Sequence, residues 1–241
     1  MELEKPLSVT DVRHAHDLDL AALERRFSRV SPPVSPESVT CEFTNDPALL
    51  EQYYLLRREV YVRAWELDHF PLKDKYDRNC HTLIMRLGRQ CVGGVRMILR
   101  TPRSRMLLPM EAAGVDLHDA LPGVNLEYQT YGEISRMARL PDYRGFNYTL
   151  LIHGHLRRKA HALGMRYGFM LSPAANARMY RRVGHMTHDG YHVLDHIHVP
   201  QREEYEGIRM MASCIDYGVP EAENVVFSQN ASVQENEVSL G

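Results

Sequence analysis

The stretch Gly132-Glu133-Ile134-Ser135-Arg136-Met137-Ala138 reads as a buried strand carrying a carboxylate and a guanidinium three residues apart. Two ionisable groups in an apolar strand need a reason, because charge is rarely buried without a partner or a task. Burial raises a carboxylate's pKa toward that of a useful general base, and Arg136 would offset the desolvation or hold an anionic substrate. A structural ion pair is the other reading of the same residues.

Working downstream, Leu140-Pro141-Asp142-Tyr143-Arg144-Gly145-Phe146-Asn147-Tyr148 leads into a helical run that ends at Leu163-Gly164. A strand, a turn rich in Arg, Gly and Asn, and an amphipathic helix form the geometry in which helix-start N–H groups face a phosphate. A second strand over 166–171, Ser172-Pro173, and a helix over 174–183 stopping at Gly184 complete the unit. This order, with its closing Tyr180-x-x-x-Gly184, resembles the core of the GNAT acyltransferases. The resemblance implies an α/β fold: a GNAT-like mixed central sheet, helices on both faces, and fourth and fifth strands splayed around a thioester's pantetheine arm.

One departure from that family bears on the donor. Members that use coenzyme A usually carry further glycines after Arg-Gly, whereas Arg144-Gly145 is followed by Phe146, Asn147, Tyr148 and Thr149. Bulky side chains there impede close backbone approach to a diphosphate. The single phosphate of a carrier protein's phosphopantetheine demands less, so the expected donor is an acyl carrier protein thioester, with no tightly bound cofactor. The charge map agrees. The chain holds 29 basic and 31 acidic residues, yet the segment 134–182 sets Arg136, Arg139, Arg144, Arg157, Arg158, Lys159, Arg166, Arg178, Arg181 and Arg182 against Asp142 alone. Acyl carrier proteins are strongly acidic, and such a patch would steer and dock one. The expected contacts for phosphopantetheine and carrier are Arg139, Arg144, Gly145, Asn147, Arg157, Arg158, Arg178 and Arg181. A nucleic-acid partner is not expected, since the chain shows no helix-turn-helix, zinc pattern or aromatic RNA-binding strand. A merely solvated basic surface remains the plain alternative.

Upstream, apolar residues at Leu49, Leu50, Tyr53, Leu56, Val60 and Ala64 give a helical period over 49–64, carrying Arg57, with Tyr61 one turn beyond it. Trp65, the only tryptophan, follows, and then Asp74-Lys75-Tyr76-Asp77. A strand over 82–87, the turn Gly88-Arg89-Gln90 and a strand over 91–99 bearing Arg96 form a hairpin. Arg57 with Tyr61, Trp65, Asp74 with Asp77, Arg96, and Glu133 with Ser135 and Arg136 together resemble the autoinducer synthase branch of the GNAT fold. That branch holds the acyl-homoserine lactone synthases and the long-chain N-acyl amino acid synthases, and the resemblance spans residues 39–184.

It implies an N-acyltransferase. Glu133 would take the proton from the acceptor ammonium, backbone N–H groups near 137–140 would meet the oxyanion, and Tyr180 would protonate the leaving thiol. An aromatic packed under the helix end is the other reading of Tyr180. Arg57, Trp65, Asp74, Asp77, Arg96, Ser135 and Arg136 would form the ion-pair network shaping the acceptor pocket. Trp65 lies nearer Arg57 than is usual, Tyr61 replaces phenylalanine and Leu72 replaces glutamate, so the departures cluster on the acceptor side. The expected acceptor is an amino acid; the alternative is S-adenosylmethionine, as in a lactone synthase. A non-catalytic GNAT-like module docking an acidic partner is a third possibility, and an ordinary acetyl-CoA enzyme a fourth.

The rest of the sequence bounds these readings. Met97, Ile98, Leu99, Met106, Leu107, Leu108, Met110, Met165, Met170 and Met179 make a methionine-rich set suited to a flexible acyl tail, or an ordinary core. His185, His188, His192, His196 and His198 cluster without a zinc spacing, so no metal is expected, though His196 and His198 would share a strand face. Cys41, Cys80, Cys91 and Cys214 are scattered, as in reduced cytoplasmic thiols. At 241 residues and 44% hydrophobic content, one transferase domain over 39–219 is expected, after an N-terminal helix and linker at 1–38 and before a disordered acidic tail at 220–241. No integral membrane segment or signal peptide is legible.

Overall fold

Apolar and β-branched runs broken by turn residues produce the strands β1 (Thr40–Phe43), β2 (His81–Leu87), β3 (Gln90–Arg100), β4 (Tyr131–Arg139), β5 (Tyr167–Pro173), β6 (Gly190–Val193) and β7 (Met210–Asp216). The computed structural model describes residues 38–218 apart from Asp119, Arg202 and Glu206. The expected N-terminal helix and the tail from 220 lie outside the described residues. The strands form one sheet of order β1-β2-β3-β4-β5-β7-β6, antiparallel except between β4 and β5. A parallel pair needs a crossover. Here it is supplied by helix α3 (Phe146–Ala162).

Helix α1 (Pro47–Arg57) starts under the cap of Asp46, whose carboxylate accepts from Ala48 N–H at 2.8 Å, with Pro47 in the first turn. The helix expected over 49–64 does not stay α-helical. From Arg58–Ala64 it widens into a π-helical stretch that closes with Trp65 N–H on the Val60 carbonyl at 3.1 Å. Beyond the hairpin come a short helix α2 (Pro109–Ala112), α3, and α4 (Ala174–Thr187).

Helix α4 runs through Gly184 instead of stopping there. A Cβ at Gly184 would stand 3.0 Å from Tyr191 Cβ, so this glycine serves close packing against β6. The helix ends at His188, in the left-handed conformation.

Helix α3 buries Tyr148, Ile152, Leu156 and Ala160 on one face of the sheet, against Leu83, Met85, Val95, Met97 and Ile134. On the other face α1 contributes Tyr53 and Leu56, the π-helical stretch contributes Val60 and Tyr61, and the connection from β3 to β4 contributes Leu108, Met110 and Leu126. Burying a side chain of this size stabilises by about 1.5–3 kcal/mol. The methionine-rich set is therefore divided. Met97, Met165 and Met170 pack under α3, Met110 packs on the opposite face, and Met106 and Leu107 are exposed.

Candidate active site

The register of β4 shows how the sheet opens. Its pairing with β5 consists of Tyr131 with Tyr167, Gly132 with Gly168 and Glu133 with Phe169, and there it stops. From Ile134 onward the two strands diverge. On the other edge of β4, Ser135 pairs Arg96 and Ala138 pairs Gly94, so Arg136 and Met137 together oppose Val95. This is a β-bulge, and Arg136 occupies its left-handed position with φ 59°. For a residue with a side chain that conformation costs roughly 1–2 kcal/mol.

The bulge decides which way Arg136 faces. Strict alternation would place it with Ile134, under α3. The extra residue turns it onto the face of Glu133 and Ser135 instead, where a network waits. The Asp74-x-x-Asp77 segment is a capping box on the 3-10 turn Lys75–Arg78, with Asp74 accepting from Tyr76 N–H and Asp77 from Asp74 N–H. That turn aims both carboxylates at arginines. Arg57 meets Asp77 at 2.9 Å, Arg96 meets Asp74 at 2.7 Å and Asp77 at 3.0 Å, and Arg136 meets Asp74 at 3.2 Å. Arg96 Nε also donates to Ser135 Oγ at 3.3 Å.

Arg57, Arg96 and Arg136 are all buried. Burial pushes the Asp74 carboxyl up, but the hydrogen bond and charge of Arg96, with the charge of Arg136, outweigh it and hold the group below the ordinary aspartate value. Burial likewise opposes the charge on Arg96, and Asp74 with Asp77 more than restores it.

Two phenols hold the bulge from the α1 side. Tyr53 donates to the Arg136 carbonyl at 2.5 Å and Tyr61 to the Met137 carbonyl at 2.7 Å. Tyr53 reaches because Gly94 lies beneath its ring, where a Cβ would stand only 2.7 Å away. Burial raises both phenols above the ordinary tyrosine value. Trp65 packs edge-on against Tyr61 at 5.2 Å and Phe70 stacks on it at 4.1 Å, closing an aromatic wall beside the network.

Glu133 is buried on this same face, and its Oε2 accepts from Met110 N–H at 2.7 Å. Tyr180 approaches the gap from α4, with its hydroxyl 3.8 Å from Met137 Sδ. Burial raises its pKa, against the opposing charge of Arg139. Of the N–H groups expected near 137–140, that of Leu140 is committed to the Val92 carbonyl at 2.9 Å, while Ala138 and Arg139 are in register with Gly94 and Gly93. The interruption of the ladder falls at Arg136 and Met137.

Helix α3 begins on the other side of the gap. Gly145 is its N-cap, offering no side chain to the first-turn N–H groups, and no acid lies in that turn. Arg139 is buried here, donating to Thr149 Oγ1 at 2.8 Å and to the Gly145 carbonyl at 3.5 Å, neutral acceptors both. Burial pushes its pKa below the usual arginine value. Arg144 donates to the Arg139 carbonyl at 3.3 Å, and Asn147 is exposed at the helix start. Tyr148 does not obstruct this end, because it is buried against Tyr143 at 5.3 Å. Arg182 lies 4.4 Å over the Phe146 ring, and Arg178 and Arg181 are exposed on the same side of α4.

Arg157 and Arg158 are not brought to this end, since eleven or more residues of helix put them about 16 Å away. Arg157 instead binds Asp189 at 3.2 Å and the Thr187 carbonyl at 3.1 Å. Arg166 pairs with Asp216, so the ten-cation segment does not form one continuous patch. Tyr53, Glu204, Tyr205 and the Met110 N–H belong to the site without having been singled out in the sequence. The Gly93-Gly94 pair within a strand was the available signal for Tyr53, because glycine there marks a close approach. Among the described residues no three His, Cys, Asp or Glu side chains converge to hold a metal ion.

A mixed sheet opened by a bulge beside its one parallel pair, with a helix start across the gap, is a GNAT-like fold. The model of the N-acyl amino acid synthase FeeM family matches residues 52–192, and the chain belongs to that family. It is an N-acyltransferase that acylates an amine.

Solved structures agree on the fold. The acyl-homoserine lactone synthase LasI superposes with a TM-score of 0.54 at 17% identity over 75% of this chain and 90% of that one. FeeM, an N-acyl amino acid synthase from uncultured soil microbes, gives 0.54 at 12% identity over 74% and 91%. BjaI, a CoA-dependent acyl-homoserine lactone synthase solved with SAM and isopentyl-CoA, gives 0.53 at 21% identity over 75% and 83%. Among curated proteins no sequence match is found. No helix of the described residues is long and apolar enough to cross a membrane.

Proposed function

We propose that this chain moves a fatty acyl group from the phosphopantetheine thioester of an acyl carrier protein to the amine of an amino acid. The observation that carries this reading is the opening between β4 and β5 beyond Glu133 and Phe169, which has the buried network on one side and the uncapped start of α3 on the other. The donor arm lies in the opening, its single phosphate drawn to the α3 N-terminus and Arg139, with Arg144, Gly145 and Asn147 beside it. Arg178 and Arg181 on α4 extend the attraction to the acidic carrier. We place the transferase in residues 39–219. The four cysteines, all free thiols, suit a reducing cytoplasm.

In the transfer, Glu133 takes a proton from the acceptor ammonium and the freed amine attacks the thioester carbonyl carbon. The oxyanion is met by backbone N–H at the bulge, the C–S bond breaks as the carbonyl re-forms, and Tyr180 gives its proton to the departing thiolate and regains one from the attacking nitrogen, which sheds its second proton to become the amide. Arg57, Asp74, Asp77, Arg96, Ser135, Arg136 and Trp65 shape the acceptor pocket.

The test is to give purified protein a fatty acyl carrier protein with pooled amino acids, and in parallel acyl-CoA or S-adenosylmethionine, and to weigh the products by mass spectrometry. An N-acyl amino acid formed from the carrier-bound donor is the expected result. A lactone product moves the acceptor to S-adenosylmethionine, efficient use of acyl-CoA removes the carrier, and no thiol release with any amine sinks the catalytic reading.

A further inference from the structure

Between β6 and β7 the chain returns over the network face, where Glu203–Tyr205 form a 3-10 turn. These residues lie beyond the stretch 52–192 matched by the family. Arg136 Nη2 meets Glu204 Oε2 at 3.3 Å, and Arg136 Nη1 donates to Tyr205 Oη at 3.5 Å. The Phe70 ring lies 4.2 Å from the same guanidinium, and Tyr205 meets Phe70 edge-on at 5.8 Å. Tyr205 is itself buried in the cluster that holds Tyr61 and Ile84, and Gln201 fixes its carbonyl at 3.2 Å. The turn is thus part of the core, and Arg136 is clamped between it and Asp74.

That clamp bears on the backbone because Arg136 is the left-handed residue of the bulge. An L-residue there tends to relax to an extended conformation, and in an extended strand its side chain would swing to the α3 face. A guanidinium anchored on the network face opposes the swing, while Tyr53 holds the carbonyl of the same residue. Four ties therefore fix one strained residue: Asp74, Glu204, Tyr205 and Tyr53.

We propose that Glu204 and Tyr205 are positioning residues of the transfer reaction, acting through Arg136 to hold the β4 bulge in the conformation that opens the strand away from β5. The proposal rests on the reading of that opening as the thioester site. Neither residue touches the reacting atoms. Their loss loosens Met137, where the ladder is interrupted, and so blurs the aim of the backbone donors.

The test uses full-length Glu204→Gln, Glu204→Asp and Tyr205→Phe, with Arg136→Gly and Glu133→Gln as references, in steady-state acyl transfer and thermal unfolding. Loss of one charge-assisted tie predicts a fall in kcat of roughly ten-fold for Glu204→Gln. A fall of about three-fold is expected for Tyr205→Phe, which keeps the ring and loses the weaker, longer bond. KM for donor and acceptor stays within about two-fold, because ground-state contacts are untouched, and Glu204→Asp recovers part of kcat. The proposal is overturned if Glu204→Gln keeps its kcat, or if its deficit vanishes on cooling well below its Tm. Should Arg136→Gly and Glu133→Gln also retain full activity, the thioester-site reading falls with it. If those two are inactive and Glu204→Gln is not, only the positioning role is lost.

Discussion

On the network side of the β4–β5 opening, Arg57, Arg96 and Arg136 are buried against Asp74, Asp77 and Glu204, whereas along α4 Arg178, Arg181 and Arg182 stand exposed beside a helix start without a cap. Matched buried pairs add little net stability, yet removing one partner is costly, so such a face holds a single shape. Exposed like charges cost little and act over a Debye length of about 8–10 Å, so that face suits a large partner arriving in solution. The contrast teaches a division of labour: geometry is stored on one side and attraction on the other.

The strongest way to break the comparison is Glu133→Gln. The amide oxygen can still accept from Met110 N–H, so Tm should shift by no more than about 4 °C, while kcat should fall by roughly 10²- to 10⁴-fold. Retention of kcat within about ten-fold would remove Glu133 as the base. Next, Arg96→Ala removes the buried guanidinium that Asp74 and Asp77 share, leaving Asp74 only Arg136 and Asp77 only Arg57, and should cost about 3–5 kcal/mol, or roughly 6–20 °C in Tm for a chain of this size. Its counterpart Arg178→Ala should change stability by no more than about 0.5 kcal/mol, and similar losses from both would erase the distinction.

The pair Arg178→Glu and Arg181→Glu should raise KM for an acyl carrier protein by about ten-fold at low salt, an effect fading as salt rises. An equal rise for acyl-CoA would mean that no carrier docks there. Acid titration gives a smaller signal. The pKa of Asp74 is lower in the fold than in the unfolded chain, so its stabilisation is present above about pH 4 and is lost as pH falls through the folded value. Urea unfolding of the protein and of Asp74→Asn should therefore differ at pH 6 and converge below about pH 4, and a constant difference would contradict the assignment. Smallest of all, Arg157→Ala should leave donor KM unchanged and lower stability by no more than about 1 kcal/mol.

Glu133, Ser135 and Arg96 were legible in the sequence because strand alternation alone sets them on one face. Arg136 was legible as a residue but not as a neighbour. An odd spacing from Glu133 sends it to the opposite face, and only the bulge, which no local pattern announces, brings it back. Asp74 and Asp77 were recognisable as a pair through the family resemblance, and the capping box that aims them at the arginines emerges only in the fold. Glu204 and Tyr205 were not, since their partners are more than sixty residues away in sequence and the contact exists only once β7 is in place. Arg157 and Arg158 were grouped with the donor contacts by charge alone, and the length of α3 carries them away from the opening.

The π-helical stretch after α1 has a consequence for how this chain tolerates change in length. Tyr53 and Tyr61 are eight residues apart, which in a regular α-helix would turn the second phenol about 80° from the first. One extra residue in the winding leaves seven effective steps and brings the two within about 20°, so that both reach successive carbonyls of β4. Deleting one residue from 62–64 would thus make a more regular helix and turn Tyr61 away from Met137, whereas deleting one from 58–60 would leave seven real steps between the phenols and keep both hooked.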